Sequence, residues 1–306
     1  MPSGGMWWQG TSFCLGQRHG RGDRQPSPRM GRLPTDCQVL EIDARKSVLL
    51  EIVFSSCIAS AEVSSFSEMK VDYGIDAPGV IRNLVLVGAA LLVLAWFVPA
   101  LHVGPVRIAM RPTAWTTCSF LFVEAGLMLA YAKFGKFRHR DRMLSLVDWR
   151  GDESVLDVGT GRGLLMIGAA KKLGSGQAVG IDIWSKGDLS GNSIENTLRN
   201  AELEGVRDRV KVANGDATKM DFSDNSFDVV LSNLCLHNIA SREARDRACR
   251  EIVRVLKPGG KAVISDFKNT AEYAKSFRDS GATARRGGMN WLDTFPPLRI
   301  VQVTKP

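Results

Sequence analysis

Three glycines that alternate with other residues directly follow a short apolar run, and they are the part of the sequence most suggestive of ligand binding. The run is Val-Leu-Asp-Val at 155–158, and the glycines are Gly159, Gly161 and Gly163. An apolar run that stops at a turn is typical of a buried parallel strand. Glycine lets the backbone adopt positive φ angles and lets a ligand approach closely. We therefore predict a strand, a tight turn and a helix from about residue 164, with a nucleotide-like ligand at the turn.

The spacing of these glycines separates the families of nucleotide-binding protein. A dinucleotide site needs G-x-G-x-x-G, but the last position is Leu164 counted from Gly159 and Met166 counted from Gly161. The pattern present is D-x-G-x-G-x-G, which resembles motif I of the class I S-adenosylmethionine-dependent methyltransferases. A short-chain dehydrogenase is disfavoured, because none of the three tyrosines is followed by lysine four residues later.

Polar residues also end the next predicted strands. Asp182 lies near the end of the apolar segment 178–183, nineteen residues after the last glycine of the turn. In nucleotide-binding βαβ units an acid at a ~20-residue offset meets a ribose hydroxyl, so Asp182 is the ribose candidate. The resemblance places a contact to the adenine amino group at Asp216. It also places the acceptor near the loop that begins at Asn233 and the turn into a fifth strand within 256–266.

The resemblance implies S-adenosylmethionine as the cofactor. Asp157 is expected to organise the glycine turn or to meet the amino-acid portion of the cofactor rather than to take part in catalysis. The predicted cofactor-binding residues are Asp157, Gly159, Thr160, Gly161, Gly163, Asp182, Ile183, Asp216, Ala217 and Asn233. No metal is expected, because the six cysteines are scattered without a C-x-x-C pair or a histidine cluster. Arsenic-methylating members use paired cysteines and are disfavoured for the same reason.

His237 is the candidate catalytic residue. Methyl transfer mainly requires that nucleophile and methyl group be held in line, and a histidine beside the acceptor could deprotonate an oxygen or an activated carbon. The alternative is a structural polar residue at a strand-to-helix turn. The loop reads Ser-Asn-Leu-Cys at 232–235 instead of the N-P-P-Y type typical of nucleic-acid methylation. A small-molecule acceptor is therefore favoured, and the similarity to quinone and sterol C-methylating enzymes is loose.

Alternating strands and helices from 143 to 306 would position these residues. The predicted strands are 155–158, 178–183, 210–213, 228–232, 261–266, 282–286 and 298–303, and the predicted helices are 164–173, 192–204, 242–256 and 270–280. Such alternation predicts an α/β fold whose parallel sheet is covered on both faces and binds ligands at the carboxyl ends of its strands. The resemblance implies a Rossmann-like sheet of seven strands that ends in an antiparallel hairpin.

Two apolar segments precede this domain. Residues 84–106 contain no Asp, Glu, Lys or Arg, and residues 113–132 contain one such residue, Glu124. About 20 apolar residues span a bilayer, so we predict a transmembrane helical hairpin with spans at about 83–101 and 113–132 that turns at Gly104-Pro105. Two buried helices of a soluble subdomain are the alternative. Glu124 would face the partner helix or a polar cavity, where a proton or substrate role is one interpretation.

The net charge of +8 is concentrated beside the apolar segments, since residues 83–143 carry +5 of it. Arg82 precedes the first span, and the connecting loop carries only Arg107 and Arg111. The basic residues after the second span are Lys133, Lys136, Arg138, Arg140 and Arg142. The positive-inside rule then places both ends in the cytoplasm, and a basic excess at this position favours a membrane surface over nucleic acid. We predict an integral membrane protein, of an organelle or another membrane, whose catalytic domain faces the cytoplasm.

The sequence thus divides into three predicted segments, a poorly ordered extension at 1–70, the transmembrane hairpin at 71–142 and the methyltransferase domain at 143–306. Residues 1 to about 35 of the extension carry Arg18, Arg21, Arg24, Arg29 and Arg32 against one acid, Asp23, which is typical of a transit segment. A start codon assigned too far upstream of Met69 is the alternative. Only residues 141–149 would link the second span to the first catalytic strand, and a chain that begins near Asp141 is expected to be soluble and to bind the cofactor.

The predicted function is transfer of a methyl group from S-adenosylmethionine to a small, membrane-associated or lipophilic acceptor. The alternative function is that of a membrane-tethered, non-catalytic module that binds S-adenosylmethionine. Such a module would keep the glycine turn and Asp182 but would not need an open acceptor pocket beside His237. No nucleic-acid partner is expected. The sequence leaves the acceptor and the oligomeric state open.

Overall fold

The computed structural model describes residues 70–98 and 100–306, which belong to one compact unit. The predicted N-terminal extension lies outside the described residues. The same holds for its two interpretations, a transit segment and a start codon assigned too far upstream. The helices are α1 (Pro78–Phe97), α2 (Met110–Ala130), α3 (Lys136–Leu144), α4 (Leu164–Ala170), α5 (Ile194–Leu203), α6 (Arg242–Val255) and α7 (Thr270–Asp279). The strands are β1 (Ala100–Val103), β2 (Val106–Ala109), β3 (Ser154–Val158), β4 (Gln177–Asp182), β5 (Val210–Asn214), β6 (Phe227–Asn233), β7 (Leu256–Asp266), β8 (Thr283–Asn290) and β9 (Leu298–Thr304).

Seven of these strands form one sheet in the order β5-β4-β3-β6-β7-β9-β8. The first five strands of that order are parallel, and β9 runs antiparallel to both β7 and β8. The prediction of an α/β, Rossmann-like seven-stranded sheet with a terminal antiparallel pair is confirmed. From β3 the chain first builds outward through β4 and β5 and then returns to add β6 on the other side. Ligands of such sheets bind at this reversal, beyond the carboxyl ends of the strands.

The core lies on both faces of the sheet. Successive residues of a strand point to opposite faces, so Val155 packs against Leu165 and Met166 on one face while Leu156 packs against Ile252 on the other. Because β3 is covered on both sides, all of its residues from Val155 to Val158 are buried. The apolar character of residues 155–158, in which Asp157 is the one polar residue, reflects this double burial.

The two apolar segments form an antiparallel pair of helices. α1 begins at Pro78 and α2 at Met110, a few residues before the predicted starts at 83 and 113. Proline is well placed in a first helical turn, where its missing N–H would have had no partner. The connection, predicted as a loop, is an antiparallel pair of short strands, β1 and β2, that turns at the expected Gly104-Pro105.

Small residues line the contact between α1 and α2. Apart from Ile81, the buried residues of the two helices are Gly88, Ala95, Ala114, Cys118 and Ala125. The Cys118 thiol donates to the carbonyl oxygen of Gly88 at 3.0 Å. Most large side chains point outward, and Trp96, Phe97 and Phe120 are 75%, 76% and 68% exposed, whereas Phe122 packs on Gly88. Small residues at such a contact let two helix backbones approach each other closely.

α2 does not end at a flexible linker. It continues through a π-helical turn, Tyr131–Gly135, directly into α3, so that one helix of 35 residues runs from Met110 to Leu144. The boundary expected at 142–143 therefore falls inside α3, and the predicted linker at 141–149 is helical in its first part. Met143 and Leu144 are buried in the same core cluster as Tyr73. A chain that begins near Asp141 would lack Tyr73 and half of α3, so we no longer expect it to fold by itself.

Candidate active site

A cavity of about 970 Å³ lies beyond the carboxyl ends of β3, β4 and β6. Ligand cavities usually measure ~300–1,000 Å³, so this one has room for a cofactor together with part of an acceptor. The loops that follow the three strands form its floor. Its other wall comes from the helical hairpin, through Val80 of α1, Glu124 and Met128 of α2, and Tyr131.

The structure brings the residues predicted from the sequence together around this cavity, with one exception. The lining residues among them are Asp157, Gly159, Thr160, Gly161, Asp182, Ile183, Asp216, Ala217, Asn233 and His237. The exception is Gly163, which precedes α4 with φ of 87°. A Cβ at this position would lie 2.8 Å from Ile167 Cδ1 and 3.1 Å from Thr197 Cγ2. Gly163 therefore serves the packing of the turn against α4 and α5.

Asp157 organises the glycine turn from inside the core. Its Oδ2 accepts hydrogen bonds from the Thr160 hydroxyl at 2.9 Å and from the Met166 backbone N–H at 3.0 Å. The backbone N–H groups of Gly159 and Thr160 both donate to the carbonyl oxygen of Ile181. These contacts fix the turn against the end of β4. The other carboxyl oxygen of Asp157 is buried without a hydrogen-bond partner among the described residues.

Burial gives Asp157 a testable effect on stability. Desolvation raises the pKa of its carboxyl from 3.8 to about 7. Between these values the folded protein binds a proton that the unfolded chain releases, so the free energy of unfolding should fall as the pH rises from about 4 through about 7. The expected decrease in the free energy of unfolding over this pH range is on the order of 4 kcal/mol. Asp157→Asn should remove it, which unfolding curves of both proteins at pH 5 and pH 8 would measure. Equal pH dependence of the two proteins would contradict the assignment.

Asp182 joins the turn after β3 to the loop after β4. Its Oδ2 accepts from the Gly161 backbone N–H at 2.8 Å, and its Oδ1 accepts from the Trp184 N–H at 2.6 Å and from the Asn192 amide at 3.2 Å. A carboxylate has about four acceptor sites, so these three bonds leave capacity for a ligand hydroxyl. The ribose contact of Asp182 stays a prediction.

A buried acid, Asp266, lies beside His237. The sequence had indicated only that Asp266 ends a strand. Asp266 is fully buried at the end of β7, and its Oδ2 accepts from the His237 backbone N–H at 3.0 Å and from the Tyr273 hydroxyl at 3.3 Å. Its Oδ1 lies 2.9 Å from Nδ1 of the His237 ring, although off the direction of a hydrogen bond. The ring also packs edge-on against Phe267. Nε2 has no protein partner within the described chain, so the histidine can act as a base that lies beside a buried carboxylate.

A segment just before α1 closes another side of the site and was missed by the sequence reasoning. This N-terminal strap, residues 72–77, runs along the loop after β4, where the Ala77 N–H donates to the carbonyl oxygen of Asp188 at 2.8 Å. Lys136 holds the strap from α3, because its buried ammonium donates to the carbonyl oxygens of Tyr73 and Gly74 at 2.9 and 2.6 Å. The sequence signal was weak, namely that ordered patterning begins at Lys70.

The comparisons with known proteins agree with this geometry. Residues 150–293 match the model of a family described as a methyltransferase domain. A ubiquinone/menaquinone biosynthesis C-methyltransferase UbiE of Roseobacter denitrificans is 29% identical over 42% of this chain and 49% of its own length. A demethylmenaquinone methyltransferase of Symbiobacterium thermophilum is 32% identical over 52% of this chain and 57% of its own length. The chain thus spans about half the length of these curated relatives.

Solved structures are also similar to this chain. A SAM-dependent methyltransferase from Aquifex aeolicus is 20% identical, with 55% of this chain and 89% of that one covered and a TM-score of 0.44. The family match over 150–293 and the sheet order support a class I S-adenosylmethionine-dependent methyltransferase domain. Its cofactor is S-adenosylmethionine.

The residues of the cavity suit this cofactor. Besides the nitrogens Arg162 Nε and His237 Nδ1, the buried polar atoms of cavity-lining residues without a hydrogen-bond partner among the described residues are five oxygens, Asp76 Oδ2, Tyr131 Oη, Asp157 Oδ1, Asn192 Oδ1 and Asn233 Oδ1. All five oxygens can accept a hydrogen bond, and the cofactor offers an ammonium group, ribose hydroxyls and an adenine amine as donors. The lining acids are Asp76, Glu124, Asp157, Asp182, Asp188 and Asp216, against the bases Lys136, Arg162, Arg247 and Lys268. An excess of acids favours a ligand with a positive sulfur.

Proposed function

We propose that the protein transfers a methyl group from S-adenosylmethionine to a small lipophilic acceptor at a membrane surface. One observation carries this proposal, namely that a single cavity is lined by the glycine turn at one end and by the apolar hairpin at the other. Gly161 and Asp182 belong to the first set of residues, and Val80 and Met128 belong to the second. An acceptor that is held by apolar side chains would thus lie beside the cofactor-binding residues.

S-adenosylmethionine supplies a methyl group activated by a positive sulfur. The protein's own residues hold and orient the partners of the reaction, which is the main requirement of an in-line displacement. Asp157 near the end of β3, Asp182 at the end of β4 and Asp216 in the loop after β5 would hold the cofactor. His237 would accept a proton from the acceptor at Nε2, while the Asp266 carboxylate keeps the ring in position and stabilises the positive charge that it gains.

The hairpin is proposed to cross the bilayer. Both helices are long and apolar enough to do so, and most of their large side chains point outward while small residues fill the contact between them. The alternative of two helices buried in a soluble subdomain would instead place the large apolar side chains inside. Among the described residues, no other element covers Trp96, Phe97, Trp115 and Phe120, which are all exposed.

The basic residues that follow α2 support an orientation with the catalytic domain on the cytoplasmic side. Lys133, Arg138 and Arg142 are exposed and available to anionic head groups, although Arg142 also pairs with Asp293. Lys136, predicted to belong to the same basic cluster, is only 4% exposed. It holds the strap and would not meet lipid.

The names of two relatives are consistent with a lipid-soluble acceptor, since both refer to menaquinone chemistry. The competing proposal is a non-catalytic module that binds the cofactor. The Asp266 carboxylate behind His237 favours an enzyme, because a binding module has no need of an oriented base that faces the cavity.

Incubation of the full chain with methyl-labelled S-adenosylmethionine and a total membrane extract tests this proposal. We expect label in the lipid-soluble fraction, and less of it with the His237→Ala variant. Label confined to water-soluble metabolites or to protein would overturn the lipophilic acceptor. Cofactor binding by calorimetry without any methyl transfer would favour the non-catalytic module. Release of the protein from membranes by carbonate would overturn the spanning hairpin.

A further inference from the structure

We propose that the acceptor enters the cavity sideways from the bilayer, between α1 and α2, and that Glu124 selects acceptors with a neutral, hydrogen-bond-donating head group over anionic ones. This inference rests on the proposed function and specifies its substrate class. It concerns a residue that neither the glycine turn nor the His237 chemistry uses.

The position of Glu124 in α2 is the first observation. It is the sole charged residue between Pro112 and Lys133, and it lines the cavity. At 1.5 Å per residue it lies about 10 Å along the helix from Tyr131, which lines the same cavity. The cavity therefore continues well beyond the catalytic loops into the part of the hairpin that is proposed to lie in lipid.

The walls of this extension are apolar. Val80 comes from the first turns of α1 and Met128 from α2, so the extension lies between the two helices. Phe295 and Pro296, from the loop before β9, complete the apolar lining on the side of the catalytic domain. Val80 is 50% exposed, which leaves this edge accessible from the surroundings of the hairpin. A hydrocarbon chain could occupy the groove while its head group points toward His237.

The charge of Glu124 would distinguish neutral acceptors from anionic ones. In the described chain Glu124 has no hydrogen bond and no ion pair, and the other charged groups that line the cavity come from the strap, α3, α6 and the catalytic loops. Lys136 is the basic side chain that α3 contributes, and its ammonium is already bound to the carbonyl oxygens of Tyr73 and Gly74. Glu124 is half-buried, and its carboxylate accepts a hydrogen bond from a hydroxyl but repels another carboxylate or a phosphate.

The test uses the full chain in vesicles of neutral phospholipid, with two photoreactive probes of equal chain length, a diazirine fatty alcohol and the matching fatty acid. Peptide mapping then measures labelling of the first turns of α1 and of residues 124–131. We expect the alcohol to label these peptides at least roughly tenfold more than the acid. Glu124→Gln should bring the two probes to within about twofold to threefold. Equal labelling by both probes in the unsubstituted protein would overturn the selection by charge.

A pair of neighbouring substitutions tests the route. Met128→Trp would fill the groove, whereas Leu127→Trp places the same side chain at a position that is 45% exposed and does not line the cavity. Met128→Trp should lower both alcohol labelling and lipid methylation about tenfold with unchanged affinity for S-adenosylmethionine, and Leu127→Trp should leave both near the original values. Equal values for the two variants would overturn lateral entry.

The two readouts keep this inference separable from the proposed function. Probe labelling does not require methyl transfer, so labelled cavity peptides in a protein that methylates no lipid would refute the function and retain the groove. Lipid methylation without labelling of the groove, and without an effect of Met128→Trp, would refute the groove and retain the function.

Discussion

Replacing His237 by alanine is expected to lower the turnover number by ~10²–10⁴-fold, the usual range for loss of a general base. The reason is geometric, since Nε2 of His237 lacks a protein partner within the described chain and Asp266 supports the opposite side of the ring. The affinity for S-adenosylmethionine should stay close to its original value. Single-turnover rates with labelled cofactor, together with calorimetry, would measure both quantities.

The pH profile of the rate distinguishes a base from a structural histidine. The rate of His237→Ala should stay low across the whole range from pH 6 to 9, because the variant lacks the group that accepts the proton. Asp266→Asn should lower the rate less than His237→Ala does, because the imidazole remains while its support is weakened. A near-normal rate of His237→Ala from pH 6 to 9 would return His237 to a structural role.

Replacing Asp182 by alanine should raise the dissociation constant for S-adenosylmethionine by about 5-fold to 150-fold. This corresponds to ~1–3 kcal/mol, the cost of losing hydrogen bonds to a charged group. Part of the loss is direct, through the predicted ribose contact. The rest is indirect, because the Gly161 N–H and the Asn192 amide lose the acceptor that holds the turn. Titration calorimetry of the folded variant would give the value.

Two further substitutions serve as controls for Asp182. Asp182→Asn keeps one acceptor oxygen and should lose less affinity than Asp182→Ala. Asp208→Ala removes an acid whose side chain is 78% exposed and should leave the affinity unchanged. Unchanged affinity in a folded Asp182→Ala protein would refute the ribose assignment, and equally tight binding of NADH would refute the choice of cofactor.

The catalytic sheet could be predicted closely because its local signals agree with its tertiary structure. β3 and β4 are buried parallel strands, so their sequences are apolar runs without a polar face, and the glycine turn marks the end of the first run. Most bounds were therefore placed within one or two residues. The exceptions are β7, β8 and α4. β7 begins at Leu256 and not at 261, because its first residues pair across an irregularity with β6. β8 ends at Asn290 and not at 286, and α4 ends at Ala170 and not at 173.

The parts of the site that were missed depend on contacts between residues far apart in the sequence. Lys136 bonds to the backbone of Tyr73, 63 residues earlier, and Asp266 lies beside His237 across 29 residues. Neither pairing has a periodic pattern that could reveal it. A basic residue after an apolar span reads as a membrane anchor, and only the fold shows that Lys136 is buried. The cavity wall from α1 and α2 was likewise not predicted. The sequence indicated only that Glu124 would face the partner helix or a polar cavity.

The uninterrupted helix from Met110 to Leu144 has a mechanical consequence. Its first part belongs to the proposed membrane hairpin and its last part to the catalytic core, so any tilt of the hairpin is transmitted as a lever movement to Tyr131 at the cavity. Helices respond to a bilayer that is too thin or too thick by changing their tilt. The rate of methyl transfer should therefore vary with the acyl-chain length of the surrounding phospholipid, while cofactor affinity measured in detergent stays constant. A rate independent of chain length in vesicles would mean that the π-helical turn at 131–135 bends and uncouples the two parts.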